Sequence, residues 1–281
     1  MSERLPNFLH LGPSKSVSTW LHEVLISHPG VYFAEAKDLY FFSRYFERGV
    51  DWYAAQFQGA RPEHKIIGEF SQDYLACPEA PERMLDTLGP DIRLMVTLRE
   101  PADRAFSSFL YLSRHGLAAP TFRDTPRIAP DLIDQGRYAT QLRRYLKCFD
   151  RKSLHIGIFD DLQADPQAFL DDITNWLDLP RLEVSPDRLE ARLPASGARW
   201  LPLAATAKRG AIWMRRHDRA HLVGRIKRST VVQRTLYKPL GATKPAMSPE
   251  DVSFVREQLA GEIAGVEEEF GIPLRERWGW Q

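Results

Sequence analysis

Residues 12–20 read Gly-Pro-Ser-Lys-Ser-Val-Ser-Thr-Trp and stand between an apolar run (Phe8, Leu9, Leu11) and a stretch with helical spacing, Trp20 to Ser27. Strand, polar loop and helix N-terminus in that order supply backbone N–H donors, the positive end of a helix dipole and one cation. All three suit an anionic group. The loop is nevertheless not a Walker A loop, which needs Gly-x-x-x-x-Gly-Lys-Ser/Thr with the Lys after a second Gly. Here Lys15 follows Gly12 with no second Gly, and the hydroxyls of Ser14, Ser16, Ser18 and Thr19 surround it instead. That departure narrows which anion the loop holds.

Further short apolar runs follow, at Lys65–Phe70, Ile92–Leu98 and Leu154–Phe159, with Asn7–Leu11 as the first of the set. Their near-continuous hydrophobicity, without alternation, suits strands buried on both faces of a parallel sheet. Helical patterns lie between them, over Trp20–His28, Pro81–Leu88, Ala102–Arg114, Tyr138–Phe149 and Pro166–Leu177. Strand alternating with helix predicts a three-layer α/β/α fold with a central parallel sheet. From about Arg181 the strand signal stops and the rest reads as loops and helices, the last helix running from Pro249 to about Phe270 behind Ser248-Pro249-Glu250. The expectation is a single domain over 1–281, with its core over about 5–180 and a helical C-terminal part over about 181–281.

With 43% hydrophobic and 27% charged residues, the composition is that of a soluble globular protein. A net charge of +1 argues for no particular partner, so any basic site must be a local patch. Cys77 and Cys148 are far apart and in no metal-ligand spacing, which predicts two partly buried free thiols and no metal site. The first residues lack a signal-peptide core, and no segment approaches about 20 apolar residues, so a cytoplasmic protein is expected.

The second informative segment is Leu94 to Gly116. A buried strand ends in Arg99, a helix begins at Pro101, and Ser107 lies two turns along it. Arg99 would emerge at the carboxyl edge of the sheet, where open α/β folds bind ligands. A strand ending in Arg is wrong for Mg²⁺, which needs a carboxylate, and right for a bidentate grip on a second phosphate. Ser107, one helical turn beyond Arg104, can add a hydroxyl to the same anion. The competing reading is a surface ion pair of Asp103 or Glu100 with Arg104. Taken together, the two segments ask for a ligand with two separate anionic ends.

These residues also carry a resemblance. GPSKSVSTWL resembles the 5′-phosphosulfate-binding loop of sulfotransferases that use 3′-phosphoadenosine 5′-phosphosulfate (PAPS). LREPADRAFSSFLYLSRHG resembles their 3′-phosphate-binding segment, with Arg99 and Ser107 at the matching positions. Lys37-Asp38-Leu39-Tyr40-Phe41-Phe42, Asp51-Trp52-Tyr53, Gly68 to Leu75, Gly136-Arg137-Tyr138 with Gln141-Leu142, and Phe159-Asp160-Asp161-Leu162 resemble landmarks of the heparan-sulfate-type branch. The similarity covers roughly residues 5–180, with an echo from Lys244-Pro245 to Glu250.

The resemblance implies in-line transfer of a sulfuryl group from PAPS to a hydroxyl or amine, leaving adenosine 3′,5′-bisphosphate, with no metal required. Pro13, Ser14, Lys15, Ser16, Val17, Ser18, Thr19 and Trp20 would hold the donor with Arg99 and Ser107. Lys15 would neutralise charge on the departing oxygen. Asp38 matches the position of that branch's Glu base and is one carbon shorter; Glu35, Glu69 or a histidine could serve instead. The acceptor implied is a sugar, glycolipid or small hydroxylated metabolite, not a nucleic acid.

Three departures from the family pattern bear on the site. Val17 stands where the family usually has Gly, and a β-branched residue dislikes φ > 0, so ordinary dihedrals are expected there. Ser18 stands where Thr is common. Phe70 replaces a Lys, which suggests a less anionic acceptor. Residues 208–228 crowd Lys and Arg around Ile212, Trp213 and Met214; such a segment can contact a membrane surface peripherally, grip an acidic acceptor, or form a solvated helical face. His10, His22 and His28 read as packing or capping residues. A kinase-type phosphoryl transferase and a non-catalytic nucleotide-binding module are the alternatives. Oligomeric state is unreadable from the sequence.

Overall fold

The computed structural model describes residues 5–184, 196–198, 237–239 and 245–280. In chain order the elements are β1 Phe8–His10, α1 Ser18–Leu25, β2 Val31–Phe33, α2 Phe41–Arg44, α3 Val50–Ala54, β3 Ile66–Phe70, α4 Ala80–Leu88, β4 Arg93–Leu98, α5 Pro101–Arg114, α6 Asp131–Asp134 and α7 Tyr138–Leu146. Then come β5 Leu154–Ile158, α8 Phe159–Ala164, α9 Pro166–Trp176, β6 Ser196–Ala198, β7 Tyr237–Pro239, α10 Pro249–Phe270 and α11 Leu274–Arg277. The first five strands form one parallel sheet in the order β2-β3-β1-β4-β5. The expected α/β fold with a central parallel sheet is the one found.

Each side of the sheet has its own apolar cluster. Phe8 and Met95 join Leu21 of α1 and Phe169 and Ile173 of α9. Leu9, Leu94 and Val96 point the other way, toward Met84 of α4 and Leu142 and Tyr145 of α7. Because consecutive strand residues face opposite sides, burial on both sides requires the unbroken hydrophobic runs seen in the sequence.

The strand order sets the position of the site. From β1 the chain runs outward to β2, returns through β3, and then crosses β1 to reach β4 and β5. The direction of winding therefore reverses between β1 and β4, and the carboxyl ends of these two strands open the crevice where such sheets take ligands. The Gly12–Trp20 loop leaves one of these strands, and Arg99 leaves the other.

β2 was not legible as a strand. It is three residues long, directly follows Pro29-Gly30, and is recognisable only by its pairing, Val31 with Ile66 and Phe33 with Gly68. The expectation of no strand after Arg181 is also corrected, since β6 and β7 pair antiparallel with Ser196 opposite Pro239. A three-residue ladder has too few positions for a period to register. Residues 208–228 lie outside the described residues.

α10 starts and stops on the signals its sequence carries. The Ser248 side chain accepts from the Asp251 N–H at 3.1 Å, Pro249 occupies the first turn, and Gly271 closes the helix at φ 67°. Val255 and Leu259 pack on Ala102, Ala105 and Phe106 of α5. Arg256 and the Trp280 indole donate to one oxygen of Glu100 at 3.2 and 3.0 Å, while the other oxygen caps α5 by accepting from the Asp103 N–H at 2.7 Å. The C-terminal arm thus rests on the residue that starts the Arg99 helix. Glu100 is taken by these partners, and Arg104 is 0% exposed and donates to the Leu132 carbonyl. The surface ion pair weighed for Arg104 is therefore not made. Among the described residues, no helix is long and apolar enough to cross a membrane.

Candidate active site

The loop is tied down from its first residue. Leu11 donates to the Met95 carbonyl at 2.8 Å, and Thr97 donates back to the Gly12 carbonyl at 3.2 Å. Gly12 sits at φ 102°, and a Cβ there would come within 2.4 Å of the Gln72 carbonyl oxygen, so only glycine passes. Its N–H donates to His10 Nδ1 at 3.2 Å, which places the ring proton on Nε2, 3.2 Å from the Thr97 hydroxyl. Burial, reinforced by the nearby Lys37, lowers the His10 pKa to about 3. The ring stays neutral and stacks on Phe70 at 4.8 Å. His28 accepts from the Gly30 N–H at 2.9 Å. Both histidines are structural, as expected.

Val17 corrects an expectation. It adopts φ 63°, and Lys15 adopts φ 69°. Without the glycine usual at position 17, the loop still has to turn its backbone twice in three residues, and two side-chain-bearing residues take left-handed dihedrals to do so. Val17 precedes α1 with no side-chain cap, which leaves the N–H groups of the first turn to other partners. Ser16 is buried, and its hydroxyl has no hydrogen-bond partner. An anion seated in the loop would satisfy it.

The loop residues divide by environment. The Ser14 N–H and hydroxyl both donate to Gln135 Oε1, at 3.0 and 2.6 Å. The ammonium of Lys15 lies 4.9 Å from the Tyr111 ring centroid. Ser18 and Thr19 hydroxyls accept from Lys37 Nζ at 3.1 and 2.9 Å. Pro13 is buried, and the Trp20 indole belongs to the interior cluster with Leu21 and Val24, so Trp20 can offer a ligand only its backbone.

Arg99 follows β4 directly and reaches across to this loop. Its Nη1 donates to the Lys15 carbonyl at 3.1 Å, its guanidinium lies 4.6 Å from the Phe159 ring centroid, and Nη2 is 3.9 Å from Asp103. The side chain is only 13% exposed, and burial lowers its pKa while Asp103 opposes the shift. Its Nε is buried without a hydrogen-bond partner. Ser107 lies partly buried on α5, one turn before Tyr111. Two buried orphans, Ser16 Oγ and Arg99 Nε, thus stand on the two segments read from sequence as the ends of one anionic ligand. Among the described residues, no group of three or more His, Cys, Asp and Glu side chains is gathered to hold a metal ion.

Across the crevice, the segment after β2 carries Lys37 and Asp38. Asp38 adopts φ 64° and donates its N–H to the Phe70 carbonyl at 2.8 Å, and its Oδ1 is buried without a partner. Tyr40, also left-handed at φ 57°, donates its N–H to Ser71 Oγ at 3.0 Å. That hydroxyl donates to Glu69, which also accepts from Tyr53 and Tyr74 at 2.8 and 2.7 Å. Burial raises the Glu69 pKa to about 7, against the lowering effect of its three hydroxyl donors. Burial and the Glu69 charge push both tyrosines well above the ordinary phenol range, so they remain donors.

Glu69 is thus committed to the scaffold and Glu35 is exposed, while Asp38 is, among the described residues, the carboxylate with a buried oxygen lacking a hydrogen-bond partner. Phe70 corrects another expectation. Its ring is buried against His10, Phe33 and Phe8, so position 70 faces the interior and carries no information on acceptor charge. Lys37 and Gln135 were missed as site residues. Lys37 had a signal, as Asp38's neighbour in a family-like segment. Gln135 had none, lying far from the loop in sequence and within no motif.

No family model matches the chain. In solved structures, a sulfotransferase from Alicyclobacillus acidocaldarius superposes with a TM-score of 0.58 at 25% identity, covering 82% of this chain and 99% of that one. This chain resembles sulfotransferases in both sequence and fold. The chain is also 27% identical over 196 residues to the bifunctional heparan sulfate N-deacetylase/N-sulfotransferase 1 of Caenorhabditis elegans, over 63% of this chain and 22% of that protein. It is 33% identical over 107 residues to the membrane-associated sulfotransferase kil1 of Dictyostelium discoideum, over 37% of this chain and 22% of that protein. The chain therefore spans about a fifth of the length of these curated relatives.

Proposed function

We propose that this protein is a sulfotransferase that moves a sulfuryl group from PAPS to a hydroxyl, in preference to an amine, of a sugar, glycolipid or small metabolite. The observation that carries the reading is the Arg99 side chain. It is tied to the Lys15 carbonyl by one nitrogen and keeps another buried and unpartnered on the second anion segment. When bound, the donor supplies an activated sulfuryl group whose leaving group is adenosine 3′,5′-bisphosphate.

The residues then take these roles. Arg99 and Ser107 hold the 3′-phosphate, and the backbone N–H groups of residues 16–20 with the Ser16 hydroxyl hold the 5′ end. Lys15 balances negative charge at the loop. Lys37, held by Ser18 and Thr19, adds a second cation at the N-terminus of α1. Asp38 takes the acceptor's proton on the oxygen that is buried and unpartnered. A sugar heads the list of acceptors because relatives are named as heparan sulfate N-sulfotransferases, and the N in that name puts a sugar amine beside the hydroxyl in any acceptor panel.

Thermal denaturation with ligands tests the reading. Adenosine 3′,5′-bisphosphate is expected to raise the melting temperature, and ATP at equal concentration to do little. If ATP stabilises the protein as well or better, the 3′-phosphate role of Arg99 and Ser107 is wrong and the kinase-type alternative returns.

A further inference from the structure

Left-handed dihedrals are unfavourable at side-chain-bearing residues and persist only where the surroundings over-determine them. The loop has two, at Lys15 and Val17. Lys37 grips the loop's far end through Ser18 and Thr19, and Arg99 grips the Lys15 carbonyl. The near end is gripped by Gln135, which is 6% exposed and comes from a separate part of the chain.

Gln135 is itself firmly mounted. It follows α6, where Leu132 and Ile133 are buried against α5 and α10. Arg104 donates to the Leu132 carbonyl, and Gln141 Nε2 donates to the Asp134 carbonyl at 2.6 Å. An amide oxygen has two lone pairs, and here both are used by one residue, through the N–H and the hydroxyl of Ser14. Ser14 therefore has no donor left for an anion, and its side chain serves the loop's shape.

We infer that Gln135 is a positioning residue: by taking both donors of Ser14 it fixes the turn that sets Lys15 and the following N–H groups around the 5′ end of the ligand. The inference rests on the sulfotransferase reading above. A side chain that acts through the loop affects the 5′ end of a ligand and leaves the 3′ end alone.

Calorimetric titration with two probes reads that difference, adenosine 3′,5′-bisphosphate and adenosine 3′-monophosphate, on the wild type and on Gln135→Ala. The bisphosphate Kd is expected to rise about tenfold, the loss of one to two hydrogen bonds, while the 3′-monophosphate Kd stays within about twofold. In a Ser14→Ala background the same substitution is expected to cost less than it does alone. Equal weakening of both ligands would reduce Gln135 to a general structural role, and no weakening of either would remove the role. Gln135→Met, of similar length and without the acceptor, gives the same comparison if the alanine variant fails to fold. A wild type that does not bind the bisphosphate would instead overturn the sulfotransferase reading itself.

Discussion

Arg99 donates to the carbonyl of Lys15 across 3.1 Å, so the strand end proposed to grip one phosphate also props the loop proposed to hold the other. That contact steadies the loop, while Arg99 itself is also held by Phe159 and Asp103. Arg99→Ala is accordingly expected to raise the Kd for adenosine 3′,5′-bisphosphate by roughly 10- to 100-fold, the scale of a charge-assisted bidentate contact. It should also weaken adenosine 5′-monophosphate, which has no 3′-phosphate to lose. Titration of both ligands checks this. Unchanged 5′-monophosphate binding would mean that the Lys15 carbonyl contact holds nothing in place.

Val17 offers a test of loop strain. Val17 is the N-cap of α1, a position where glycine is already favoured over alanine by about 0.5–1 kcal/mol. At φ 63°, glycine escapes a penalty of about 1–2 kcal/mol that alanine still bears. Val17→Gly is expected to melt higher than Val17→Ala, although both lose the packing of the valine against the interior cluster. A gap no larger than that N-cap preference would show that the loop relaxes to ordinary dihedrals once the valine is gone.

These positions also mark what the sequence could reveal. The buried strands β1, β3, β4 and β5 were legible because parallel strands covered on both sides need unbroken apolar runs. Lys15, Arg99 and Asp38 were singled out because segments in a family-like order carry them. β2 was too short for a period to appear. Val17 was misread because dihedral preference is a local rule, while the loop's shape is imposed by side chains from three other segments, Lys37, Arg99 and Gln135. Phe70 was misread because the strand's alternation turns it inward onto His10. Long-range clamps of this kind leave no spacing signal.

Asp38 is the proposed base, and its two faces can be separated by experiment. Its N–H is used by the Phe70 carbonyl, and its Oδ1 is open. Asp38→Asn keeps the backbone bond and the side chain's size while removing proton affinity. Turnover, read as bisphosphate released from PAPS against a panel of hydroxylated acceptors, is expected to fall by roughly 10²- to 10⁴-fold. Bisphosphate affinity should stay within about twofold. Undiminished turnover would move the base elsewhere.

Glu69 makes stability depend on pH in a direction that a surface carboxylate would not. Its pKa rises from 4.5 in the unfolded chain to about 7 in the fold, chiefly through burial. Between these values the folded state holds a proton that the unfolded state releases. The stabilisation is therefore complete below 4.5 and is lost as pH rises through about 7, at a slope of up to about 1.4 kcal/mol per pH unit. His10 works the other way, because its pKa falls from 6.5 to about 3 and the unfolded state binds the extra proton as pH falls through that window. Comparing wild type with Glu69→Gln cancels the His10 contribution. The glutamine keeps an acceptor for Tyr53 and Tyr74 and carries no charge at any pH. Relative to the wild type, the variant is thus expected to gain stability between about pH 5 and pH 7 in urea denaturation and to level off above that, since only the wild type must bury a charge as the pH rises. A difference that stays flat across that range would mean that Glu69 is already ionised at the acid end and that its three hydroxyl donors, not burial, set its titration.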